Sequence, residues 1–321
     1  MSIRILVLVL LGTVQLTHAQ TYPVKPVRII VPFAPGGGGD FVARLLGQKM
    51  GESWGQQVII ENRGGASGNI GAEAVAKAAP DGYTILLAAS SFVVNPNIYK
   101  SVPYDAVNDF TAITQTTVLP NFLVVHPSLP VKSVKELIAL AKARPGQLVF
   151  GSAGVGTGAH LAGEMLKLRA GIEMVHVAYS RGGGGAMLTD LLGGQVVLSF
   201  ASLPTVSAFI RDNRLRALGV ASDKRWPTLP AVPTIAESGF PNFEMSSWMG
   251  FLAPAGTPKD IVSKIHLETT RILKLPDVRE RSYTVGAEPV TDVTPEQFAQ
   301  YIRSELVKYA DIVKRAGIRI E

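Results

Sequence analysis

Ile29-Ile30-Val31-Pro32-Phe33-Ala34-Pro35-Gly36-Gly37-Gly38-Gly39-Asp40-Phe41-Val42-Ala43-Arg44 is a β-branched apolar run that enters a Pro/Gly loop and then opens into a helix-forming segment. The first N–H groups of a helix have no partner inside it and carry a partial positive charge. Strand, glycine loop and helix therefore make a seat for an anion. A related arrangement recurs at Leu148-Val149-Phe150-Gly151-Ser152-Ala153-Gly154-Val155-Gly156-Thr157-Gly158-Ala159-His160. Both stretches run on with the same grammar: strand, Arg-Gly-Gly, helix, glycine turn, strand. Arg63-Gly64-Gly65 corresponds to Arg181-Gly182-Gly183. Identity between the halves is low, so what repeats is a topology. It predicts two similar α/β domains whose glycine loops face each other and hold a small carboxylate between them.

Outward from these loops, strands are expected over 27–31, 57–60 and 83–89, with helices over 41–50 and 69–78. This spacing gives right-handed crossovers and a largely parallel sheet. The pattern restarts with a strand at 120–125. Ser133-Val134-Lys135-Glu136 is a capping box whose helix stops at Arg144-Pro145-Gly146. Strands follow at 148–150, 173–179, 196–200 and 215–220, separated by helices over 159–168, up to 192, and over 204–210. Thr257-Pro258 predicts an N-cap and first helical residue for a helix reaching 275. Thr294-Pro295-Glu296-Gln297 starts another, with Phe298, Ile302, Leu306, Tyr309 and Val313 along one face. Few strands remain after 247, so these helices are assigned to the first domain. The expected organisation is a leader at 1–19, domain one at 20–122 plus 247–321, and domain two at 123–246. Two chain crossings make a hinge rather than a loose tether.

At 321 residues the chain is long for a single core, which agrees with two domains. Apolar residues at 47% and charged residues at 17% exclude a disordered chain. Arg4, the apolar run 5–11 and the small-x-small triplet Thr17-His18-Ala19 predict a secretory leader cleaved after about Ala19; the run is too short to span a bilayer. The mature protein is thus expected to be exported, to the periplasm. Cysteine is absent, which rules out disulfides and thiol chemistry. Without Arg4 the formal charge is 30 − 25 = +5, and no basic run of five to eight residues occurs, so nucleic acid is not an expected partner.

The residues argue for binding and against catalysis. There is no G-x-S-x-G elbow, no P-loop, and no metal-ligand spacing among the five histidines at 18, 126, 160, 176 and 266. No metal and no cofactor are expected. Gly154-x-Gly156-x-x-Ala159 matches a dinucleotide fingerprint, but the acid about twenty residues on, Glu173, begins the next strand, whereas a ribose-binding acid belongs at its other end. An NAD-dependent oxidoreductase is thus a remote alternative. For binding, Ser152, Thr157 and the N–H groups of 154–158 can donate from one loop, and the N–H groups of 33–39 from the other. His160, just after the second loop, faces either a ligand or its own hydrogen-bond partner. Asp40 is expected to stabilise the helix start. A micromolar site needs about 8 kcal/mol, a helix terminus supplies about 0.3–1 kcal/mol, and charge-assisted hydrogen bonds about 1.5–3 kcal/mol each. Affinity therefore requires both loops at once, which implies closure of the domains over the ligand.

The whole mature chain resembles the Bug-type periplasmic receptors of tripartite tricarboxylate transporters, the TctC-like proteins. The resemblance is carried, in order, by Pro32-Phe33-Ala34-Pro35-Gly36-Gly37-Gly38-Gly39-Asp40, Val58-Ile59-Ile60-Glu61-Asn62-Arg63-Gly64-Gly65-Ala66-Ser67-Gly68, Pro80-Asp81-Gly82-Tyr83-Thr84, Gly151-Ser152-Ala153-Gly154-Val155-Gly156-Thr157, Asp190-Leu191-Leu192-Gly193-Gly194-Gln195 and Leu252-Ala253-Pro254-Ala255-Gly256-Thr257-Pro258. It implies a Venus-flytrap fold of the periplasmic-binding-protein type: two α/β domains joined by a hinge, with a ligand cleft between them. It further implies capture of a small organic acid and delivery to the membrane subunits of such a transporter, by a monomer. The family's ligand contacts carry over to Phe33, Ala34, Pro35, Gly36 and Gly37, to Ser152, Gly154, Gly156 and Thr157, and to Ser90 after the third strand. The chain departs from the family's Pro-Tyr-Lys-Gly at Ala178-Tyr179-Ser180-Arg181-Gly182 and from its Phe-Asp at Phe200-Ala201. Ala201 offers no carboxylate for an amino acid's ammonium, and Arg181 favours a further acid group. The alternative role is sensing, with the closed form docking on a two-component kinase; neighbouring genes would separate the two.

Overall fold

A computed structural model describes residues 22–33, 35, 36, 38–179, 183–284 and 286–318. The leader expected at 1–19 lies outside them. In chain order the first elements are β1 (Val27–Val31), α1 (Gly38–Trp54), β2 (Val58–Asn62), α2 (Asn69–Ala76), β3 (Thr84–Ala89), α3 (Ser91–Ile98) and β4 (Phe110–Val125). Then come α4 (Val134–Ala143), β5 (Val149–Ser152), α5 (Gly158–Ala170), β6 (Val175–Ala178), α6 (Gly183–Leu192), β7 (Leu198–Ser202), α7 (Leu203–Arg211) and β8 (Arg216–Val220). The chain finishes with β9 (Ser246–Pro254), α8 (Lys259–Leu273), α9 (Pro276–Thr284), β10 (Glu288–Pro289) and α10 (Pro295–Ala316).

The repeat of topology is visible in the strand order. One half-sheet runs β2-β1-β3-β9-β4, and the other runs β6-β5-β7-β4-β8. In each, three parallel strands are followed by one antiparallel strand, β9 in the first and β4 in the second. These two strands, β4 and β9, are the chain crossings. β4 carries the chain out, β9 brings it back, and they pair antiparallel from Phe110↔Pro254 to Pro120↔Ser246.

β4 is much longer than the strand expected at 120–125. Its upstream part, Thr111 to Val118, is rich in Thr and Gln and shows no alternation, because it is buried on both faces. Pro120 looked like a beginning, but it sits inside the strand where the partners change. Residues up to Pro120 pair with β9, and from Asn121 and Phe122 onward the partners are β7 and β8. A residue without an N–H is tolerated where one ladder ends and the next begins.

The C-terminal helices also differ from expectation. α8 lies against α1 and β4, but α10 rests on both α3 and α5, so it straps the two domains together. Twenty-two residues give a helix of about 33 Å, long enough to reach past one flank. Its start is the expected capping box: Thr294 accepts from Gln297 N, and Gln297 reaches back to Thr294 N. Its end is Gly317 in the left-handed region at φ 65°. At the other two predicted caps the geometry shifts by a residue. Ser133 accepts from Glu136 N, yet Glu136 returns to Lys132 N. The Thr257 hydroxyl donates to Pro254 O, which leaves Pro258 at the N-cap of α8.

Candidate functional site

The helix expected from 41 starts three residues earlier, inside the glycine run, at Gly38. What holds it there is a network around Asp40, which is buried. Its Oδ2 accepts from Gly36 N and from Arg44 Nε, both at 3.0 Å, and its Oδ1 accepts from Asn62 Nδ2 at 3.0 Å. The same Asn62 amide donates to Phe33 O at 3.2 Å. The Arg44 guanidinium foremost, then the Gly36 and Asn62 donors, hold the Asp40 carboxyl down at about 2 against the upward push of burial. The end of β2 is thereby tied to the loop that follows β1. Asn62 stood in a quoted motif without a role, and Arg44 had none either. Replacing Asn62 by Ala removes three hydrogen bonds, to Phe33 O and Asp40 and from Arg44, two of them involving a charge, worth roughly 1–3 kcal/mol each before relaxation. Calorimetry is expected to show a melting temperature lowered by a few degrees, and an unchanged transition would count against the tie.

Beside this loop opens a cavity of about 490 Å³ lined by Phe33, Pro35, Asn62, Gly64, Gly65 and Ser67, among others. The wall at Ala66 and Ser67 has positive φ, 47° and 56°, in residues that are not glycine. That strain is held by α3, through Asn95 Nδ2 to Ser67 O at 3.0 Å and Ser67 Oγ to Tyr99 OH at 2.9 Å. Another cavity, of about 500 Å³, contains none of the expected site residues. Its lining carries Asp223, Glu244, Glu288, Asp292 and Glu305 against Lys224, Arg279 and Lys308, a field that disfavours an organic anion.

The second glycine loop is tight because its side chains bond to its own backbone. Ser152 is fully buried; its Oγ lies 2.7 Å from His176 Nε2 and 2.9 Å from Gly154 O, and it accepts from Gly154 N. Thr157 Oγ1 donates to Gly154 O at 2.8 Å and accepts from His160 N, capping α5. His160 Nδ1 accepts from Gly156 N at 3.1 Å, and its ring stacks on His176 with centroids 3.9 Å apart. The hydroxyls expected to donate outward are thus engaged inside the loop. The outward donors are backbone: Gly158 N and Ala159 N precede the first intrahelical bond of α5.

Of the other expected residues, Ser90 is buried and its Oγ accepts from Trp248 N of β9 at 2.9 Å. Tyr179 is half-buried beside Gly151 and donates to Asp190 Oδ2 at 2.6 Å; burial first, then this bond, pushes its phenol up to about 12. Ala201 is buried in β7 opposite Phe122. Ala34, Gly37 and Arg181 lie outside the described residues. Glu173, the acid of the dinucleotide fingerprint, precedes β6 at the end away from the loop.

The two helix starts meet side chains of the same part of the crossing ribbon. A methyl group on Gly38 would stand 3.8 Å from Leu119 of β4; one on Gly39, 3.2 Å from the Phe33 ring and 3.6 Å from Met249 of β9. A methyl on Gly158 would stand 3.1 Å from Ser247 Oγ and 3.2 Å from Asn121 Nδ2. Leu119 and Ser247 are cross-strand partners. The N-termini of α1 and α5 therefore converge on one pair in the crossing ribbon, and that pair forms a floor between them.

Residues 42–318 match the model of a family described as the tripartite tricarboxylate transporter family receptor. Protein BugT of Bordetella pertussis is 39% identical over 305 residues, covering 94% of this chain and 93% of its own length. Among solved structures, R. palustris Rpa4515 with adipate superposes with a TM-score of 0.81 at 36% identity, covering 93% of this chain and 99% of its own. The periplasmic binding protein BugD gives 0.78 at 36% identity, covering 94% and 100%.

Proposed function

The chain belongs to the tripartite tricarboxylate transporter receptor family, and from that premise we propose that it captures a small dicarboxylate in the periplasm by domain closure and passes it to the membrane subunits of such a transporter. The observation that carries the ligand class is the convergence of the α1 and α5 N-termini on the Leu119–Ser247 pair. Two anion seats over one floor suit an acid with a carboxylate at each end, and a relative of this architecture was solved with adipate. Phe33 and Met249, beside Gly39, supply apolar surface for the carbon chain between them. The ligand-facing atoms in this reading are the backbone N–H groups at Gly38 and Gly39 and at Gly158 and Ala159, while Ser152, Thr157 and His160 hold the second loop in shape. The moving units are the half-sheets on either side of Pro120, with 1–19 removed as a leader and the mature protein a monomer.

Differential scanning fluorimetry with adipate, succinate, malate, citrate and nicotinate tests this. A ligand at 100 times its Kd stabilises by about 2.7 kcal/mol, which is a rise of several degrees for a chain of this size. A flat response across the whole panel sinks the proposal.

A further inference from the structure

Resting on the receptor reading, the geometry points to one ligand contact that neither the motifs nor the family pattern singled out: we propose that the Ser247 hydroxyl, on the crossing strand β9, donates to the carboxylate seated at the N-terminus of α5. Its place follows from the pleat of β9. Trp248, Gly250 and Leu252 turn to one face of the sheet, where Gly250 meets Phe298 of α10. Met249, Phe251 and Ala253 turn to the other, the face that also packs α1. Ser247 shares the parity of Met249, whose methyl lies against Gly39 at the start of α1. Ser247 Oγ also faces Gly158 at the start of α5. One hydroxyl thus stands between both helix starts.

Its neighbours are spoken for. Ser246 Oγ donates to Ala221 O at 3.3 Å, and Asn121 Nδ2 donates to Met245 O at 2.7 Å. The half-buried Ser247 hydroxyl takes no partner among the described residues. A polar group at that depth is stabilised by whatever fills the cleft, and an acid oxygen held by Gly158 N and Ala159 N is within reach of it. The contact has a mechanical consequence. Ser247 belongs to the ribbon that both domains share, so a ligand bonded to it touches the first domain, the second domain and the hinge together.

Isothermal titration of adipate, with malate and succinate as further probes, into the unmodified protein, Ser247→Ala, Ser247→Thr and Ser246→Ala tests this. A hydrogen bond to a charge corresponds to about a tenfold or greater change in Kd. Ser247→Ala is expected to weaken binding by that factor with the melting temperature of the ligand-free protein unchanged. Ser247→Thr keeps the hydroxyl and is expected to retain most of the affinity. Ser246→Ala, whose side chain turns to the other face, is expected to bind as the unmodified protein does. Binding by Ser247→Ala within twofold of the unmodified protein overturns the inference alone. So does a loss of affinity matched by a lower ligand-free melting temperature. An unmodified protein that binds none of the acids overturns the receptor reading as well.

Discussion

Between pH 6.5 and pH 4 the protein is expected to lose stability steeply, because two histidines under the second glycine loop must stay neutral for it to fold. His160 is 5% exposed and His176 is half-buried. Burial, then the neighbouring His176 ring, then Lys167 push His160 down to about 3; burial and Lys167 push His176 down to about 4. Glu164 lies 3.9 Å from His160 Nε2 and would favour the charged ring, but Lys167 engages that carboxylate at 2.9 Å. In the unfolded chain both rings titrate near 6.5. The unfolded state therefore binds more protons throughout this window, so stability is full above 6.5 and falls as the pH drops. Two protons give a slope of at most about 2.7 kcal/mol per pH unit, and with the half-exposed His176 discounted the loss by pH 4 is roughly 3–5 kcal/mol. Against a total of about 5–15 kcal/mol that is a large fraction.

The chemistry also says what breaks first. A protonated His160 Nδ1 can no longer accept from Gly156 N, and charging His176 puts a second cation against the His160 ring stacked on it, beneath the Ser152 hydroxyl it bonds. Both bonds shape the loop whose N–H groups are proposed to hold the ligand. Asn at 160 places an amide oxygen where Nδ1 accepts, and Gln at 176 places an uncharged amide where Nε2 meets the Ser152 hydroxyl. Urea unfolding from pH 7 to pH 5 is expected to give a nearly flat profile for His160→Asn/His176→Gln and a falling one for the unmodified protein; below pH 5 both fall as the depressed carboxylates, Asp40 among them, take up protons. Parallel slopes for the two proteins would falsify this account.

The same loop shows how far the sequence could be read. Strand, glycine loop and helix were legible twice because each is local: apolar run, punctuation, helix former. The capping box at Thr294 was legible for the same reason. What escaped was long-range. The β-branched residues of Thr111 to Val118 favour a strand, but a segment buried on both faces by other elements has no alternation to show. The roles of Asn62 and Arg44 depend on which atoms the fold brings to them, and spacing along the chain carries no trace of that. Ser152, Thr157 and His160 are the instructive cases. Their residue types signalled hydrogen bonding to an anion, and they do hydrogen-bond, but to the loop itself. A hydroxyl within three residues of a free backbone group meets that group before it meets a ligand.

Gly156→Ala is expected to weaken dicarboxylate binding at least tenfold, and the cause can be separated into two parts. Gly156 has φ +77°, where a side chain costs about 1–3 kcal/mol, and a methyl there would stand 2.3 Å from Ile98 Cδ1 of α3. Ile98 lies in α3, which follows β3 of one half-sheet, and Gly156 follows β5 of the other, so that contact is where the second loop seats on the opposite half. Gly171, at the C-cap of α5, has a similar φ of +59° with nothing within 4 Å of an added methyl. Gly171→Ala therefore carries the backbone strain alone and is expected to lower stability while leaving affinity intact. Ile98→Val deletes the clashing atom for about 0.5–1.5 kcal/mol of core packing. If seating of the loop on α3 governs affinity, Ile98→Val restores most of the binding lost in Gly156→Ala and does nothing for the stability lost in Gly171→Ala. A double variant Ile98→Val/Gly156→Ala that binds no better than Gly156→Ala would place the defect in the strained backbone, and the loop–α3 contact would then be incidental to capture.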